Sequence, residues 1–346
     1  MNLSPLPWRP IFAAAWLLAV PLTPARACTD VLLKTDNHQV VSGRNMDYPR
    51  VFRSKILVAP EGKAFQSPVP AGFPALAWVS RYGYVGVTGG TPFIADGMNE
   101  KGLSIDKQNL AATRYPDPVK DKPNLDIRMI CDWALGTCSS VDEVAKALPT
   151  LNPIETTGMN PLHLALHDQA GNSGVIEFIQ GRPVFHRNPN GVLTNGPTFD
   201  WHETHLKYYQ WKRSLPNAAV AVPEGYFSAE RFIRATLMRD ALPAAETPRA
   251  AVADALRILA SVAPPYGMPG AYVEQEPGGG HPRLDFTQWS VVRDHRNLVY
   301  YYKSFDSPGL NAIDLKTLDL TGKTHYVPLP VGDGGGSVPA PLTPGK

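Results

Sequence analysis

Short apolar blocks broken by turn residues dominate the first half of the chain, and they read as strands. Thr29 to Lys34 runs mainly apolar, Asp36-Asn37-His38 offers turn chemistry, and Gln39 to Gly43 resumes the apolar pattern. This predicts a hairpin that opens at Cys28. Leu76 to Val87 is rich in aromatic and β-branched residues suited to strands. Leu162 to Leu166 and Val175 to Ile179, joined by a turn at Asp168 to Asn172, predict a second hairpin, and Gly181-Arg182-Pro183 turns into Val184 to His186. Trp289 to Val292 and Leu298 to Tyr302 flank a turn at Asp294 to Asn297 and predict a third.

Elsewhere apolar residues recur at three- and four-residue spacing, the mark of an amphipathic helix. The segments are Leu125 to Leu135, Val141 to Leu148, His202 to Trp211, Ala229 to Leu242 and Ala250 to Val262. Ser140 followed by Glu143 resembles a capping box for the second of these. Strand groups alternate with helix groups without a regular βαβ rhythm, which favours α+β layers over a doubly wound parallel sheet. There is no repeat and no internal linker. From Val327 to Lys346 the chain is rich in Pro and Gly and nearly uncharged, which predicts an extended C-terminal tail (327–346) after a single domain at 28–326.

The first 27 residues follow a different pattern. Arg9 is a lone cation, Ile11 to Val20 is apolar and uncharged, and Ala25-Arg26-Ala27 ends the segment with small residues at its first and third positions. That is the layout of a secretory signal peptide cleaved after Ala27. The apolar run falls short of the ~20 residues a membrane-spanning helix needs. Export to the periplasm or beyond is therefore expected, without a stable membrane anchor. Composition narrows the picture further. Lys+Arg number 33 against Asp+Glu 31, and the cleaved segment would take Arg9 and Arg26 with it, leaving a formally neutral chain. No global field exists to hold nucleic acid, so a small molecule is the expected partner. A hydrophobic fraction of 43% excludes a disordered chain, and 35 aperiodic prolines indicate many turns.

Cleavage after Ala27 would make Cys28 the first residue, with an α-amine beside its thiol. Three readings follow: coincidence, lipidation of a lipoprotein, or an N-terminal nucleophile whose own amine is its base. Lipidation usually wants Leu three residues before the Cys, where Ala25 stands, and Arg26 is charged. Arg44 and Asp47 lie on the returning strand of the first hairpin, so a guanidinium can favour thiolate and a carboxylate can orient the amine. Unperturbed α-amine and thiol pKa values lie near 7.7–8.0 and 8.5, so proton transfer between them is nearly balanced. Cys131 and Cys138 are expected to be structural, bonded or reduced; no metal-ligand spacing surrounds them.

Several motifs occur in order: C-T-D-V-L-L from Cys28, G-R-N-M-D-Y around Arg44 and Asp47, D-G-M-N-E-K-G-L (Asp96 to Leu103), L-T-N-G-P-T-F-D-W-H (Leu193 to His202) and S-A-E-R-F-I-R (Ser228 to Arg234). In combination they resemble the choloylglycine hydrolase and penicillin V acylase family of N-terminal nucleophile hydrolases, over Cys28 to about Lys303. The resemblance implies a four-layer αββα sandwich and hydrolysis of a linear, non-peptide amide through a thioester, with no metal or organic cofactor. It implies Cys28 as nucleophile, Arg44 and Asp47 beside it, Asn195 and Asn109 at the oxyanion, and Arg231 as a second active-site Arg. Tyr48, Phe52 and Tyr82 are candidates for the acyl pocket, as is Trp78, for which core packing is the competing reading.

The exported layout resembles the Gram-negative branch, where penicillin V acylases and acyl-homoserine lactone acylases occur, so a penicillin V acylase is expected. Bile salt hydrolysis and acyl-homoserine lactone cleavage are the alternatives. A lipid-anchored, non-catalytic binding protein is the alternative of another class. Only 35 residues lie between Asn195 and Arg231. That is too short for the arm by which tetrameric members of the family clasp a neighbour, so a homo-oligomer stays open.

Overall fold

Strand β1 (Cys28–Lys34) pairs antiparallel with β2 (Val40–Tyr48), with Cys28 opposite Met46 and Asp30 opposite Arg44. The computed structural model describes residues 28–328, apart from 36, 90–91, 159–160, 217–219, 267–272 and 275–282. The expected signal peptide and residues 329–346 of the expected tail lie outside the described residues. The hairpin sits inside a six-stranded sheet ordered Val192–Thr194, β1, β2, Phe286–Asp294, Val299–Ser304 and Asn311–Asp314. A second, eight-stranded sheet is ordered Arg182–Arg187, Ser173–Ile179, Leu162–His167, Ser104–Asn109, Ile94–Asn99, Tyr84–Thr88, Lys55–Ala59 and His325–Pro328. The last of these strands runs two residues past the domain boundary expected at 326.

Each sheet buries both faces. Helices α1 (Ile130–Thr137) and α2 (Val141–Ala147) cover the eight-stranded sheet through Ile130, Trp133, Leu135 and Val144, packed with Ile105, Leu164 and Phe178. Helices α3 (Phe199–Ser214), α4 (Ser228–Ala241) and α5 (Pro248–Val262) cover the six-stranded sheet, where Phe232, Ile258 and Leu259 meet Val31, Val41 and Val292. Between the sheets, Val85, Val87 and Met98 pack on Trp289, Val291 and Tyr300. The layers are therefore α, β, β, α, as the family resemblance implied. Burial on two faces explains why β1 reads as a nearly continuous apolar run rather than an alternation.

All three predicted hairpins form. Two predicted elements differ. The segment read as one helix over Leu125 to Leu135 opens with a strand, Asn124–Asp126, paired in parallel with Asn152–Ile154, and α1 starts only at Ile130. Asp126 accepts from the Arg128 N–H, turning the chain between the two. The long strand read over Leu76 to Val87 is interrupted, because Arg81 and Tyr82 turn against Gly136 and separate Ala77–Val79 from Tyr84–Thr88. Ser140 caps α2 through the Glu143 N–H at 3.2 Å, while Glu143 reaches back to the Ser139 N–H at 2.8 Å. Cys131 and Cys138 are buried free thiols.

Candidate active site

Pleat parity assigns the site residues to two faces of the six-stranded sheet. Cys28, Asp30, Arg44 and Met46 point toward the opposite sheet: Arg44 donates to the carbonyls of Ala95 (2.9 Å) and Lys107, both on strands of that sheet. Thr29, Asn45 and Asp47 point toward the helices, where Arg231 of α4 donates to Thr29 Oγ1 at 2.5 Å and Asn45 donates to the Leu259 carbonyl of α5 at 2.8 Å. Cys28 lies at the edge where the two faces meet. Its Sγ is 3.7 Å from Met46 Sδ and 3.8 Å from Arg44 Nη2, and Arg44 Nη2 is 3.3 Å from the same Met46 sulfur. Its backbone N–H donates to Asn195 Oδ1, and its carbonyl accepts from Arg231 Nη1.

Asn195 joins the pieces. Just past the strand Val192–Thr194, its Oδ1 accepts from both Cys28 N and Arg231 Nη2 (3.0 Å), and its Nδ2 donates to the Asn109 carbonyl at 3.0 Å. Asp47 presents one oxygen to the Thr287 hydroxyl at 2.6 Å, whereas Oδ2 is buried with no hydrogen-bond partner among the described residues. A cavity of about 540 Å³ is lined by Thr287, Phe286, Trp289, Tyr266 and Phe305, so it adjoins the Asp47–Thr287 pair.

Burial is the largest influence on every charge here. It pushes the Cys28 thiol up; Arg44 pulls it back, Asp47 pushes it further up, and Arg231 again lowers it. Burial likewise lifts the Asp47 carboxyl to about 7 against the pull of Arg231 and the Thr287 hydrogen bond. Arg231 is lowered by its own burial, with Asp47 and Cys28 opposing. Burial thus works against the thiolate at Cys28, and Arg44 and Arg231 work for it.

Behind Arg44 lies a cluster that sequence reading missed. Arg293, from the strand Phe286–Asp294, meets Asp30 at 2.7 Å, Asp96 at 3.3 Å and Asp106 at 3.4 Å, and Arg44 lies 3.5 Å from Asp106 and 3.8 Å from Asp96. All five side chains are fully buried. Three carboxyls face two guanidiniums, and burial raises all three above the ordinary carboxyl value while the guanidiniums pull them back. Burial and then the Asp30 charge lift Asp106 to about 6. The available signal was Asp30 among the apolar residues of β1; Asp96 and Asp106 lie in strands that only the structure shows to be buried on both faces. A lone buried carboxylate costs several kcal/mol, so each had to have a partner.

The profile described as linear amide C-N hydrolases, choloylglycine hydrolase family, matches residues 28–328. The chain belongs to that family. A penicillin V acylase of Pectobacterium atrosepticum is 30% identical over 308 residues, covering 81% of this chain and 78% of the relative. A bile salt hydrolase/transferase of Clostridium perfringens is 29% identical over 324 residues, covering 85% and 94%. The structure of penicillin V acylase from Agrobacterium tumefaciens aligns with a TM-score of 0.75 at 30% identity, covering 86% of this chain and 90% of that one. This choloylglycine hydrolase family member is a linear amide C–N hydrolase of the penicillin V acylase and bile salt hydrolase type.

The structure gathers Cys28, Arg44, Asp47, Asn195 and Arg231 in one place. Asn109 joins them by its backbone: its carbonyl receives Asn195, while its own side-chain amide donates to the Pro161 carbonyl at 2.9 Å. Tyr48 and Phe52 stack at 4.2 Å where β2 ends beside the site, held by Gln288, which donates to the Tyr48 carbonyl and accepts from the Phe52 N–H. Tyr82 is a correction. It lies between Arg81 and Lys101, just before Tyr84, which pairs with Asn99 at the end of the sheet opposite to Ile94 and Asn109. At ~3.4 Å per strand residue that is well over 10 Å from Cys28. Trp78 stacks on Phe65 at 5.0 Å under the α1 layer, the core-packing alternative. Among the described residues no three His, Cys, Asp or Glu side chains are grouped to hold a metal ion.

Proposed function

We propose that the protein is an exported N-terminal-cysteine amidohydrolase that cleaves penicillin V-like N-acyl amides through a thioester on Cys28. The observation that carries the mechanism is that one residue presents both reacting groups to fixed partners: its nitrogen to Asn195 Oδ1 and its sulfur to Arg44. The signal-peptide layout of residues 1–27 supports export and release of the Cys28 α-amine. That release adds N–H groups to the nitrogen, for which the unpartnered Oδ2 of Asp47 is an available acceptor.

In the first half-reaction the Cys28 S–H proton passes to the α-amine and the sulfur attacks the amide carbon. The oxyanion is met by the second N–H of Asn195 Nδ2, whose first is spent on the Asn109 carbonyl that orients it, and one such donor is worth about 3 kcal/mol in comparable sites. The α-amine returns the proton to the leaving nitrogen, the C–N bond breaks, and an amine departs from a thioester. Water then adds to the thioester while the α-amine takes its proton, the sulfur leaves and is reprotonated, and a carboxylic acid is released. Arg44 stabilises the thiolate in both steps.

For the acyl group, the stacked Tyr48–Phe52 pair favours a flat ring over a rigid steroid. Two relatives that act on penicillin V, by their names, support the same choice. The second reading, conjugated bile salts, rests on the relative of that name. A hydrolysis panel decides: phenoxymethylpenicillin, an acyl-homoserine lactone, glycocholate and taurocholate, compared by kcat/KM with the mature protein. Preference for phenoxymethylpenicillin is expected. Preference for a bile salt overturns the substrate while leaving the mechanism, and a diacylglyceryl group on Cys28 by intact mass overturns the enzyme reading itself.

A further inference from the structure

We propose that His202 is the positioning residue for Asn195, and through it for the nucleophile. The inference rests on the site described above and goes one residue behind it. Asn195 follows the strand Val192–Thr194 and precedes α3, so no sheet ladder fixes its backbone. Its carbonyl is met by His202 Nε2 at 2.8 Å, from the first turns of α3. An oxygen acceptor requires Nε2 to carry the proton, which leaves Nδ1 as a bare lone pair; Nδ1 is indeed buried with no partner among the described residues. A charged ring would strand a proton there. Burial accordingly lowers His202 to about 4, although the Asn195 carbonyl pulls the other way.

The ring cannot turn away from this task. It is fully buried and stacks on Phe232 at 4.7 Å and 18° between planes. Phe232 is the neighbour of Arg231 on α4. The same Nε2 lies 3.5 Å from Thr194 Oγ1, which donates to the Ser228 carbonyl at 3.0 Å and accepts from the Ser228 hydroxyl at 2.9 Å. At the start of α3 the Thr198 side chain makes no capping bond; the Phe199 N–H is taken instead by Glu177 Oε1, from the strand Ser173–Ile179, at 2.9 Å. One imidazole therefore references two groups to each other: Asn195 by a hydrogen bond and the Arg231 helix by stacking. Those two groups hold the nitrogen and the carbonyl of Cys28. Losing the donor leaves the Asn195 carbonyl buried and unpaired, and frees its side chain to move.

The test compares three variants of the mature protein. His202→Gln keeps an amide N–H near Nε2; His202→Phe keeps the stack on Phe232 without a donor; His202→Asn carries an amide one bond too short. The readouts are kcat, KM, thermal melting and the pH dependence of Cys28 alkylation by iodoacetamide. Because misplacement of about 1 Å can cost 10²-fold, His202→Phe should lose roughly 30-fold in kcat with KM within about twofold, and its alkylation profile should shift. His202→Gln should stay within about threefold of the wild type in kcat and keep its profile. If His202→Phe does not fold, His202→Asn decides in its place. Wild-type kcat in the folded donor-free variant overturns the proposal, as does an unmoved alkylation profile or an equal loss in His202→Gln. If the wild type cleaves nothing in the panel, the proposed function fails, and the alkylation profiles still decide the role of His202.

Discussion

Arg293 and Asp30, 263 positions apart in the chain, meet at 2.7 Å between the two sheets. Asp30 stands opposite Arg44 in the β1–β2 register, so the nearest cation in sequence terms is not the one that holds it. Arg293 holds Asp30 and thereby leaves Arg44 free to lie between Asp106 and the Cys28 sulfur.

Removing Arg293 should therefore cost more than any surface ion pair. Arg293→Met leaves three buried carboxyls facing one guanidinium, and breaking a buried pair costs about 3–5 kcal/mol. Urea unfolding should show a loss of that size. An unchanged midpoint would mean that the carboxyls already carry protons enough to dispense with Arg293.

The buried His295 makes the fold sensitive to acid. It bonds the Gly102 carbonyl and the Ser42 hydroxyl, each at 2.8 Å, and burial lowers it to about 3 despite the Gly102 bond. In the unfolded chain a histidine titrates near 6.5, so between pH 6.5 and 3 the unfolded state binds the extra proton and stability falls as pH falls. Each tenfold difference in proton affinity between the folded and unfolded states is worth about 1.4 kcal/mol. His295→Gln should flatten the decline of urea midpoints between pH 7 and 4.5.

Asp47 acts with the opposite sign. Its folded value near 7 lies above the ordinary 3.8, so the folded state keeps a proton that the unfolded chain has already lost. Its contribution is present below about pH 4 and disappears as pH rises through 7. Relative to the wild type, Asp47→Asn should gain stability across that interval. Turnover should nevertheless fall by roughly 10²-fold, because the carboxylate oxygen proposed as acceptor for the freed Cys28 amine is gone. Retained turnover would remove Asp47 from the mechanism.

The three thiols should separate cleanly under alkylation. Burial, with Lys107 opposing, pushes Cys131 up to about 12, and Cys138 is also raised by burial. Iodoacetamide should label Cys28 alone, one equivalent abolishing activity, and Cys28→Ser should lose most turnover because a hydroxyl ionises far less. Peptide mapping that finds the label on Cys131 or Cys138 while activity persists would refute Cys28 as nucleophile.

Processing should be a condition of activity. With Ala27 still attached, the Cys28 nitrogen is a peptide nitrogen and cannot accept the thiol proton. A chain blocked against cleavage should bind substrate and turn it over negligibly; full activity from it would end the α-amine mechanism.

Much of this protein was legible before any fold was known. Turn residues between apolar blocks marked the three hairpins, helical spacing marked α2 to α5, and the ordered motifs named Cys28, Arg44, Asp47, Asn195 and Arg231, all of which meet in space. Those features are local or carried by short motifs, so a linear reading recovers them. What the tertiary structure decided is which side chain faces which. Alternation separates two faces of a strand, but in a four-layer sandwich both faces are buried, so the pattern carries no contrast between inside and outside. Nothing in the chain therefore told that Arg293 would take Asp30, that Tyr82 would fall at the far end of its sheet, or that His202 would hold the Asn195 carbonyl. Each of these depends on the register of strands distant in sequence and on helices laid across them, and long-range packing settles both.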